Sequence, residues 1–362
     1  MPSTESVAHQ DLILCACADR EYKTRDVIDA ALWRGDSKPS WDRFLLRLEA
    51  EKKADELEMD LDDDELDAAA ETFRYERDLI TAEETEQWLA ARGLNLDDFS
   101  DYFGRQSWGT KLENEVEIPE MPYVTTPENL RQLFAADLIL SGELDELTTQ
   151  LMWRLAAGCA EAEPDPTKIS ALENEFFENH QIDPATLPDW LSGLGRDAEW
   201  FKQMLEVEAA YQRRCESALL PNALKHEVAS LRLPLTRIEA EVLELESQDA
   251  AREAMFCVTE DGMSMEEVAA EGRYPYRQIN FLLEDLSAEL QQMFTSVSEG
   301  ELVDPMPHGD GFELCRVTKK IEPNSEDAAV KQRVEQRLLQ RHFGELCGKH
   351  VERRLGAIIA SE

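Results

Sequence analysis

The sequence has no long apolar run and few basic residues. No apolar stretch approaches the roughly 18 residues that a membrane-spanning helix requires, so we expect no membrane partner. Lysine and arginine together number 37, against 77 aspartate and glutamate residues, which gives a formal net charge of -40. A charge of this sign repels nucleic-acid phosphates and anionic lipids. The charge balance therefore argues against nucleic-acid binding and favours a solvated acidic surface or basic partners.

The first residues lack the features of a secretory signal peptide. No basic start precedes the apolar run at 12–18, which is short and leads into charged residues. Seven cysteines are scattered along the chain, and an odd number without an export signal is typical of reduced thiols. We therefore expect a cytoplasmic protein whose cysteines are small buried residues, with a thiol-based function as the alternative.

Motifs for metal, nucleotide or hydrolytic chemistry are also missing. The sequence has no P-loop, no G-x-G-x-x-G after a strand and no H-E-x-x-H. Cys15 and Cys17 form an isolated C-x-C, and no second Cys/His pair stands at zinc-like spacing. His342 and His350 stand on the last predicted helix, with Cys347 nearly half a turn off their line. We predict neither a metal site nor a cofactor.

The length and the apolar pattern predict a chain of several helical segments. With 362 residues, of which 43% are hydrophobic, we expect two or three globular domains. Apolar residues recur at helical spacing over 22–113, which predicts a series of helices. Thr81 and Glu84 have the spacing of a capping box at the start of one of them. Three prolines at 114–128 indicate an extended linker, after which helices resume at Leu130.

One segment of the helical part recurs later in the chain without gaps. The alignment pairs Trp88 with Trp190, Gly93 with Gly195, and Phe99 with Phe201. A long predicted helix precedes each copy, and the two copies are too far apart in the sequence for a solenoid repeat. We predict a duplicated helical module, with a chance match of tryptophans and a glycine as the alternative.

The pattern changes to mixed α/β over 234–323. Alternating apolar residues at 238–242 indicate one strand, and 311–317 indicates a second. Between the strands we predict a helix, a turn, a short helix and a further helix over 280–300 that stops at its glycine. A long amphipathic helix is predicted over 325–355.

The order of these elements resembles a parvulin-type prolyl isomerase domain. Residues 262–269, G-M-S-M-E-E-V-A, are similar to the phrase that opens the second helix of that family. Residues 300–305, G-E-L-V-D-P, are similar to the turn that leads into its last strand. The helices before this part and the closing helix resemble SurA-type chaperones, in which they form one peptide-binding module from which the parvulin domain protrudes. The resemblance covers residues 22–355.

The active-site positions depart from the parvulin pattern. Active members carry one histidine near the end of the first strand and another in the last strand, but here the first strand has none and Glu313 stands in the last. His308 precedes that strand in a predicted turn, which favours a solvated loop residue. Residues 272–276, G-R-Y-P-Y, replace a glycine-rich loop and would fill a pocket. An isomerase must lower a rotation barrier of roughly 18–20 kcal/mol through an apolar clamp and a polar network. Carboxylates in that network imply peptide binding without strong catalysis.

The resemblance implies a peptide-binding, chaperone-like accessory protein with a catalytically degenerate parvulin-like domain. Its partner would be an unfolded or precursor peptide, or a peptide-modifying enzyme, since cytoplasmic relatives resemble components of ribosomal-peptide maturation. Two alternatives stay open: an active prolyl isomerase with non-standard residues, and an acidic scaffold for a partner enzyme. The candidate catalytic residues of the isomerase alternative are Glu239, Glu313, His308 and Cys315.

Apolar residues supply the candidate peptide-binding surfaces. Aromatic side chains at helical spacing form either a peptide-binding cradle or an ordinary helix–helix core. The candidates for the cradle are Trp88, Phe99, Tyr102, Phe103, Trp190, Trp200 and Phe201. The candidates for a proline pocket are Met265, Phe294 and Met306.

The predicted fold class is mostly α with a small α+β domain. We place a SurA-like helical module at 1–115, a second helical module that is a possible repeat of the first at 116–230, and the degenerate parvulin-like domain at 231–323. The closing segment, 324–362, is predicted to dock on the N-terminal module. Its apolar face would supply the contact, and its basic residues would face the acidic stretch at 51–71.

Overall fold

A computed structural model describes residues 9–160 and 165–354, which are mostly helical with two small antiparallel sheets. The chain divides into two compact units. The first unit runs through Cys215 and includes the chain again from His342, and the second unit is Glu216–Arg341. The predicted fold class, mostly α with a small α+β domain, is confirmed. The domain boundaries drawn from the sequence stay predictions.

The first unit is built from helices that surround one large apolar core. Its elements before the second unit are β1 Ile13–Cys17, β2 Arg20–Lys23, α1 Thr24–Arg34, α2 Lys38–Glu56, α3 Asp63–Glu76, α4 Ala82–Ala90, α5 Leu96–Leu112, α6 Glu128–Ser141, α7 Glu143–Ala160, α8 Pro166–His180, α9 Leu187–Leu194 and α10 Ala198–Ala218. The capping box predicted at Thr81 and Glu84 is present at the start of α4. In the described parts of the chain, no helix is both long enough and apolar enough to cross a membrane.

The second unit contains a sheet with helices on both faces. Its elements, and those that follow it, are α11 Pro221–Ser230, β3 Arg237–Leu245, α12 Gln248–Thr259, α13 Met265–Gly272, β4 Tyr276–Leu282, α14 Ala288–Ser296, β5 Leu302–His308, β6 Gly311–Ile321, α15 Ala328–His350 and β7 Val351–Arg353. The strand order is β4-β3-β6-β5, and each neighbouring pair is antiparallel. Helix α14 packs on one face of the sheet, and α12 and α13 pack on the other.

The strands predicted in β3 and β6 are confirmed, but two neighbouring elements differ from their predictions. The helix predicted over 280–300 is wrong at its start, because residues through Leu282 continue strand β4. The turn predicted before β6 is wrong, because Leu302–His308 forms the edge strand β5. Pro305 and Pro307 hide this strand in the sequence, and an edge strand tolerates proline since one side of it makes no ladder hydrogen bonds.

The first unit contains a sheet in the order β2-β1-β7 that the sequence pattern does not predict. Strand β1 lies in the middle, where Cys15 pairs with Tyr22 of β2 and with Arg353 of β7. Leu14 and Cys15 are buried. The three strands are short, and β1 and β7 come from distant parts of the chain, so no local signal marks their pairing.

The two segments aligned as a repeat have the same local structure. Helix α9 ends at Gly195, which has φ 68°, and the turn that follows α4 ends at Gly93, which has φ 69°. Both glycines therefore lie in the left-handed region. The hydrogen bond that closes each end is also the same: Leu94 N donates to Leu89 O at 3.0 Å, and Arg196 N donates to Leu191 O at 2.9 Å. A second helix then follows in each copy. A 6→1 bond of this kind with a left-handed residue is the Schellman helix end.

The closing helix α15 contributes to both units. Val330, Val334 and Leu338 belong to the second unit and pack in one cluster with Val228 and Leu235. Beyond His342 the chain belongs to the first unit, where the buried Phe343 ring stacks on Trp153 with centroids 5.2 Å apart. The predicted docking on the helical module therefore holds for the last turns of α15 and for β7, and the earlier turns pack in the second unit.

The basic side chains of α15 that belong to the second unit have partners within that unit, and their predicted pairing with residues 51–71 stays a prediction. Arg333 donates to Glu284 and Asp285, and Arg341 makes two hydrogen bonds to Glu227. These partners all lie in the second unit. Arg353 in β7 pairs with Asp145 of α7 at 2.8 Å. The partners are set by where each turn of the helix packs, which a net count of charges does not reveal.

Candidate functional site

The cluster on the sheet face under α14 contains Phe294 and Met306, two of the three residues that the parvulin resemblance assigns to a proline pocket. Val303 of β5 and Cys315 of β6 are buried there together with alternate residues of β3. Phe294 of α14 fills the space between helix and sheet, and its ring lies 5.2 Å from that of Phe281 in an edge-to-face contact. Side chains of the protein itself occupy this face, where an isomerase needs an open apolar pocket.

The three residues predicted to form a proline pocket do not come together. Phe294 is buried in the cluster under α14, and Met306 is half-buried beside it. Met265 is fully buried on the opposite face of the sheet, where it packs with Leu243 and Leu245. The prediction of one pocket from these residues is wrong, because Met265 opens α13 and that helix covers the other side of the sheet.

Glu313 takes part in a cluster of charges at one end of this face. It stands opposite Glu244 of β3 and Met306 of β5 in the strand register. Arg277 of β4 donates a hydrogen bond to the Glu313 carboxylate and lies 3.5 Å from Glu244. His308 Nε2 is 3.6 Å from Glu313 Oε1. The structure therefore brings Glu313 and His308 together, but the Glu313 carboxylate accepts a hydrogen bond from Arg277.

Cys315 follows Glu313 on the same face and is 1% exposed. Burial, and then the charge of Glu313, raise the pKa of the Cys315 thiol to about 12. At neutral pH the thiol is therefore protonated, and a protonated thiol is a poor nucleophile. Cys315 behaves as a small core residue in this site.

Glu239, the fourth candidate, lies apart from the others. It alternates along β3 with the buried Ile238 and Ala240, so it stands on the opposite face of the sheet. Of the four predicted catalytic residues, the structure groups Glu313, His308 and Cys315 and leaves Glu239 out. Without a base aimed into an open pocket, this group shows no arrangement for general acid–base catalysis.

A polar network that the sequence does not reveal lies on the face opposite α14. Arg316 Nε donates to Glu241 Oε2 at 2.7 Å, and the Tyr276 hydroxyl donates to Glu241 Oε1 at 2.8 Å. Gln278 Nε2 donates to the Tyr276 hydroxyl oxygen at 3.2 Å. The only sequence signal is the alternation of Glu241 with buried neighbours along β3. Because the sequence analysis does not predict strand β4, it does not predict that Tyr276 and Gln278 contact this network. The network ties three strands together.

Two aromatic clusters occupy the cores of the repeated segments in the first unit. Each has a central phenylalanine, Phe73 or Phe176, on the helix before the tryptophan helix. The central ring meets a tryptophan and a phenylalanine edge to face in both copies, at 5.5 Å to Trp88 and 5.1 Å to Phe99 in one, and 5.1 Å to Trp190 and 4.9 Å to Phe201 in the other. Such contacts stabilise by dispersion and by the ring quadrupole.

The aromatic residues predicted to form a peptide cradle are core residues in this structure. Exposure is between 4% and 8% for Phe99, Tyr102, Phe103, Trp200 and Phe201. Trp88 and Trp190 are half-buried. Because the rings of each cluster pack on one another, they do not line an open groove. Their burial fits the alternative interpretation, a helix–helix core.

An open groove of about 440 Å³ lies on the second unit, beside α14. Its apolar walls include Leu233, which is 57% exposed, and Leu283, which is buried. The lining residues are all uncharged and are Leu233, Pro234, Leu283, Ala288, Gln291, Gln292, Thr295 and Ser296. In a chain with 31% charged residues, an uncharged groove with amide and hydroxyl groups suits a neutral peptide. No sequence motif marks this groove.

Solved structures to which this chain is similar are named as prolyl isomerases or chaperones. The peptidylprolyl isomerase PrsA from Bacillus cereus matches over 59% of this chain and 84% of its own, with 11% identity and a TM-score of 0.34. The foldase protein PrsA from Streptococcus pneumoniae matches over 59% and 85%, with 14% identity and a TM-score of 0.26. A structure reported for the SurA-like chaperones PEB4 and Cj1289 of Campylobacter jejuni matches over 59% and 88%, with 12% identity and a TM-score of 0.20.

TM-scores below 0.5 carry no functional argument, so the site is interpreted from its own residues. No protein-family model matches the sequence, and no curated protein matches it. What the residues define is a sheet unit whose face under α14 is filled by its own side chains, next to an open uncharged groove.

Proposed function

We propose that this protein is a peptide-binding, chaperone-like accessory protein whose second unit does not catalyse prolyl isomerisation. The client is an extended, uncharged segment of an unfolded or precursor peptide. Following the sequence resemblance, the proposal places the protein in the cytoplasm, where it would serve the maturation of a ribosomally made peptide. The observation that carries the proposal is the uncharged groove beside α14.

The chemistry of the groove supports an extended peptide as the ligand. Leu233 and Pro234 offer apolar surface, and the side-chain amides of Gln291 and Gln292 offer both donors and acceptors for a peptide backbone. The strongly acidic chain around the groove would repel acidic segments.

The filled face under α14 supports binding without isomerisation. Phe294 and Cys315 are buried on this face, and a hydrogen bond from Arg277 compensates the charge of Glu313, the carboxylate that stands where the resemblance expects a histidine. An isomerase must bind the twisted amide better than the planar one. A filled pocket gives the twisted amide no place to bind.

Peptide binding is tested by titrating a short, uncharged, fluorescein-labelled peptide and measuring fluorescence anisotropy. We expect saturable binding that Leu233→Asp weakens by about tenfold or more, because burying one leucine is worth roughly 1.5–3 kcal/mol. Leu220→Asp is the matched control, since Leu220 is 56% exposed in the same unit and lies outside the groove lining. Equal loss in both variants, or no binding by the parent, would overturn the proposed groove.

Catalysis is tested separately by following cis–trans exchange in a proline-containing peptide. We expect no more than a small acceleration over the uncatalysed rate. Robust isomerase activity that Glu313→Ala abolishes would replace the proposal with the isomerase alternative. Absence of both binding and catalysis would leave the acidic scaffold as the remaining interpretation.

A further inference from the structure

Two cysteines from distant parts of the first unit bring their sulfurs together. Cys17 ends strand β1, Cys159 lies in the last turn of α7, and their Sγ atoms are 2.8 Å apart. They are 142 residues apart in the sequence. The distance is within about 1 Å of a disulfide bond length of roughly 2.05 Å. A small approach of the two side chains would close the bond.

The backbones on both sides of this pair are held in place. Cys17 pairs with Arg20 of β2 on one side and with Val351 of β7 on the other. Gly158, next to Cys159, lies so close to Val207 of α10 that an added Cβ would stand 3.0 Å from its Cγ1 atom. The sheet and the helix packing therefore position the two thiols.

We propose that Cys17 and Cys159 form a disulfide in the folded protein by exchange with a small-molecule disulfide such as oxidised glutathione. The exposed Cys159 attacks first: its sulfur bonds to one sulfur of the oxidant, the oxidant's S–S bond breaks, and one small thiol leaves with the proton of Cys159. Cys17 then attacks the sulfur of Cys159 and displaces the second small thiol, which takes the proton of Cys17. The protein loses two electrons and the oxidant gains them.

The difference in exposure between Cys17 and Cys159 determines which thiol reacts with the oxidant first. Cys17 is 6% exposed, and Cys159 is exposed. Burial, followed by the hydrogen bond with Cys159, raises the pKa of the Cys17 thiol to about 12. The exposed thiol is the one that a dissolved oxidant reaches, because Cys17 is buried and almost entirely protonated at neutral pH. Cys17 resolves the mixed disulfide through its small thiolate fraction, since its sulfur already lies 2.8 Å from that of Cys159.

The test uses the full-length protein, equilibrated with oxidised glutathione, blocked with N-ethylmaleimide and digested without reduction. Trypsin releases Cys159 in residues 155–168, and it releases Cys15 and Cys17 together in residues 1–20. We expect these two peptides to be joined in the parent and separate after Cys159→Ser. The oxidised protein should also unfold at a higher temperature, because the bond closes a long loop in the unfolded chain.

Single variants decide which cysteine of β1 takes part. Cys15→Ala should keep the cross-link and Cys17→Ala should lose it, with Cys257→Ser in the second unit as a control that changes nothing. Cys159→Ser alters an exposed side chain, so its result does not depend on refolding of the core. Seven free thiols after equilibration, a stable glutathione adduct on Cys159, or a bond from Cys15 would each overturn the proposal.

Discussion

At the scale of one residue, buried charged side chains strongly influence the stability of this acidic chain and its dependence on pH. Asp137 of α6 is 4% exposed and accepts hydrogen bonds from Arg47 and Arg105, both at 3.0 Å. Arg105 is itself 2% exposed. Neither side chain can turn to water, so each depends on the other for compensation of its charge.

Replacing Asp137 by alanine should destabilise the protein strongly. The change leaves Arg105 buried without its carboxylate, a situation that typically costs about 3–5 kcal/mol. Equilibrium urea unfolding measures the loss. The control is Arg43→Ala, which removes a pair with Glu143 that is 51% and 32% exposed on its two side chains and should cost less than about 1 kcal/mol. Equal costs would show that burial does not set the value of these pairs.

Asp29 of α1 gives the protein a specific dependence on pH. Burial raises the pKa of Asp29 to about 6, against the opposing effect of Arg196, which donates to Asp29 Oδ2 at 2.6 Å. Because the folded pKa lies above the ordinary value of 3.8, the folded state binds the proton more readily than the unfolded chain. The contribution of Asp29 to stability therefore falls as pH rises from about 4 to about 6.

Asp29→Asn should remove this dependence. The difference in unfolding free energy between variant and parent is expected to shift in favour of the variant as pH rises, by up to about 3 kcal/mol. Urea unfolding of both proteins at several pH values between 4 and 7 measures the shift. Comparing the two proteins at each pH cancels the general effect of neutralising other carboxylates. A constant difference would contradict a raised pKa.

The residues of the candidate site show which features can be predicted from the sequence at the scale of one residue. The position of Glu313 in the last strand follows from the local pattern, and the structure places it in β6. Its partner Arg277 does not follow, because the pattern assigns that residue to no strand and the structure places it in β4. The pairing depends on strand register, which a single sequence specifies only through both strands at once.

At the scale of elements, the two helix ends at Gly93 and Gly195 depend on left-handed backbone. Gly93→Ala and Gly195→Ala should each destabilise the protein by about 1–2 kcal/mol, because φ near 70° strains any residue with a Cβ atom. Thermal and urea unfolding measure the loss. Gly344→Ala is the control, since that glycine stands inside helix α15 with open space around it and should gain up to about 1 kcal/mol. A loss at only one of the two ends would show that the repeated segments are not equivalent.

The helices were predictable because their signals are local. The capping box at Thr81 and Glu84 needs only neighbouring residues, and it is present. The strands β1 and β7 carry no such signal, because each is short and gains its stability from the other. Strand β5 contains two prolines, which are uncommon in strands, so its sequence does not predict a strand. Elements that form through distant pairing are the ones that single-sequence patterns miss.

At the scale of the whole molecule, the first unit is interrupted by the second in the sequence. The two ends of the first unit at this interruption lie close together, because the rings of Tyr211 and Phe343 are 5.0 Å apart. A short flexible linker from Cys215 to His342 should therefore replace Glu216–Arg341 and leave the first unit able to fold. Circular dichroism and urea unfolding should show one cooperative helical transition.

A chain that stops at Arg341 provides the comparison for this excision. It lacks the fully buried Phe343 and the strand β7, and removal of a large core ring alone typically costs about 3–5 kcal/mol. We expect it to be much less stable than the excised chain. If both chains unfold at the same urea concentration, the segment after Arg341 contributes nothing to the stability of the first unit.

The pairing of β1 with β7 also has a consequence for synthesis on the ribosome. Cys15 is made before Glu216–Arg341, and its partner Arg353 is made only after the whole of that segment. The second unit is contiguous and can fold while translation continues, but β1 must wait with one edge unpaired. Pulse proteolysis of stalled nascent chains should find the second unit protected first. A strand that is made before the second unit then acquires its final neighbour only after that unit is complete.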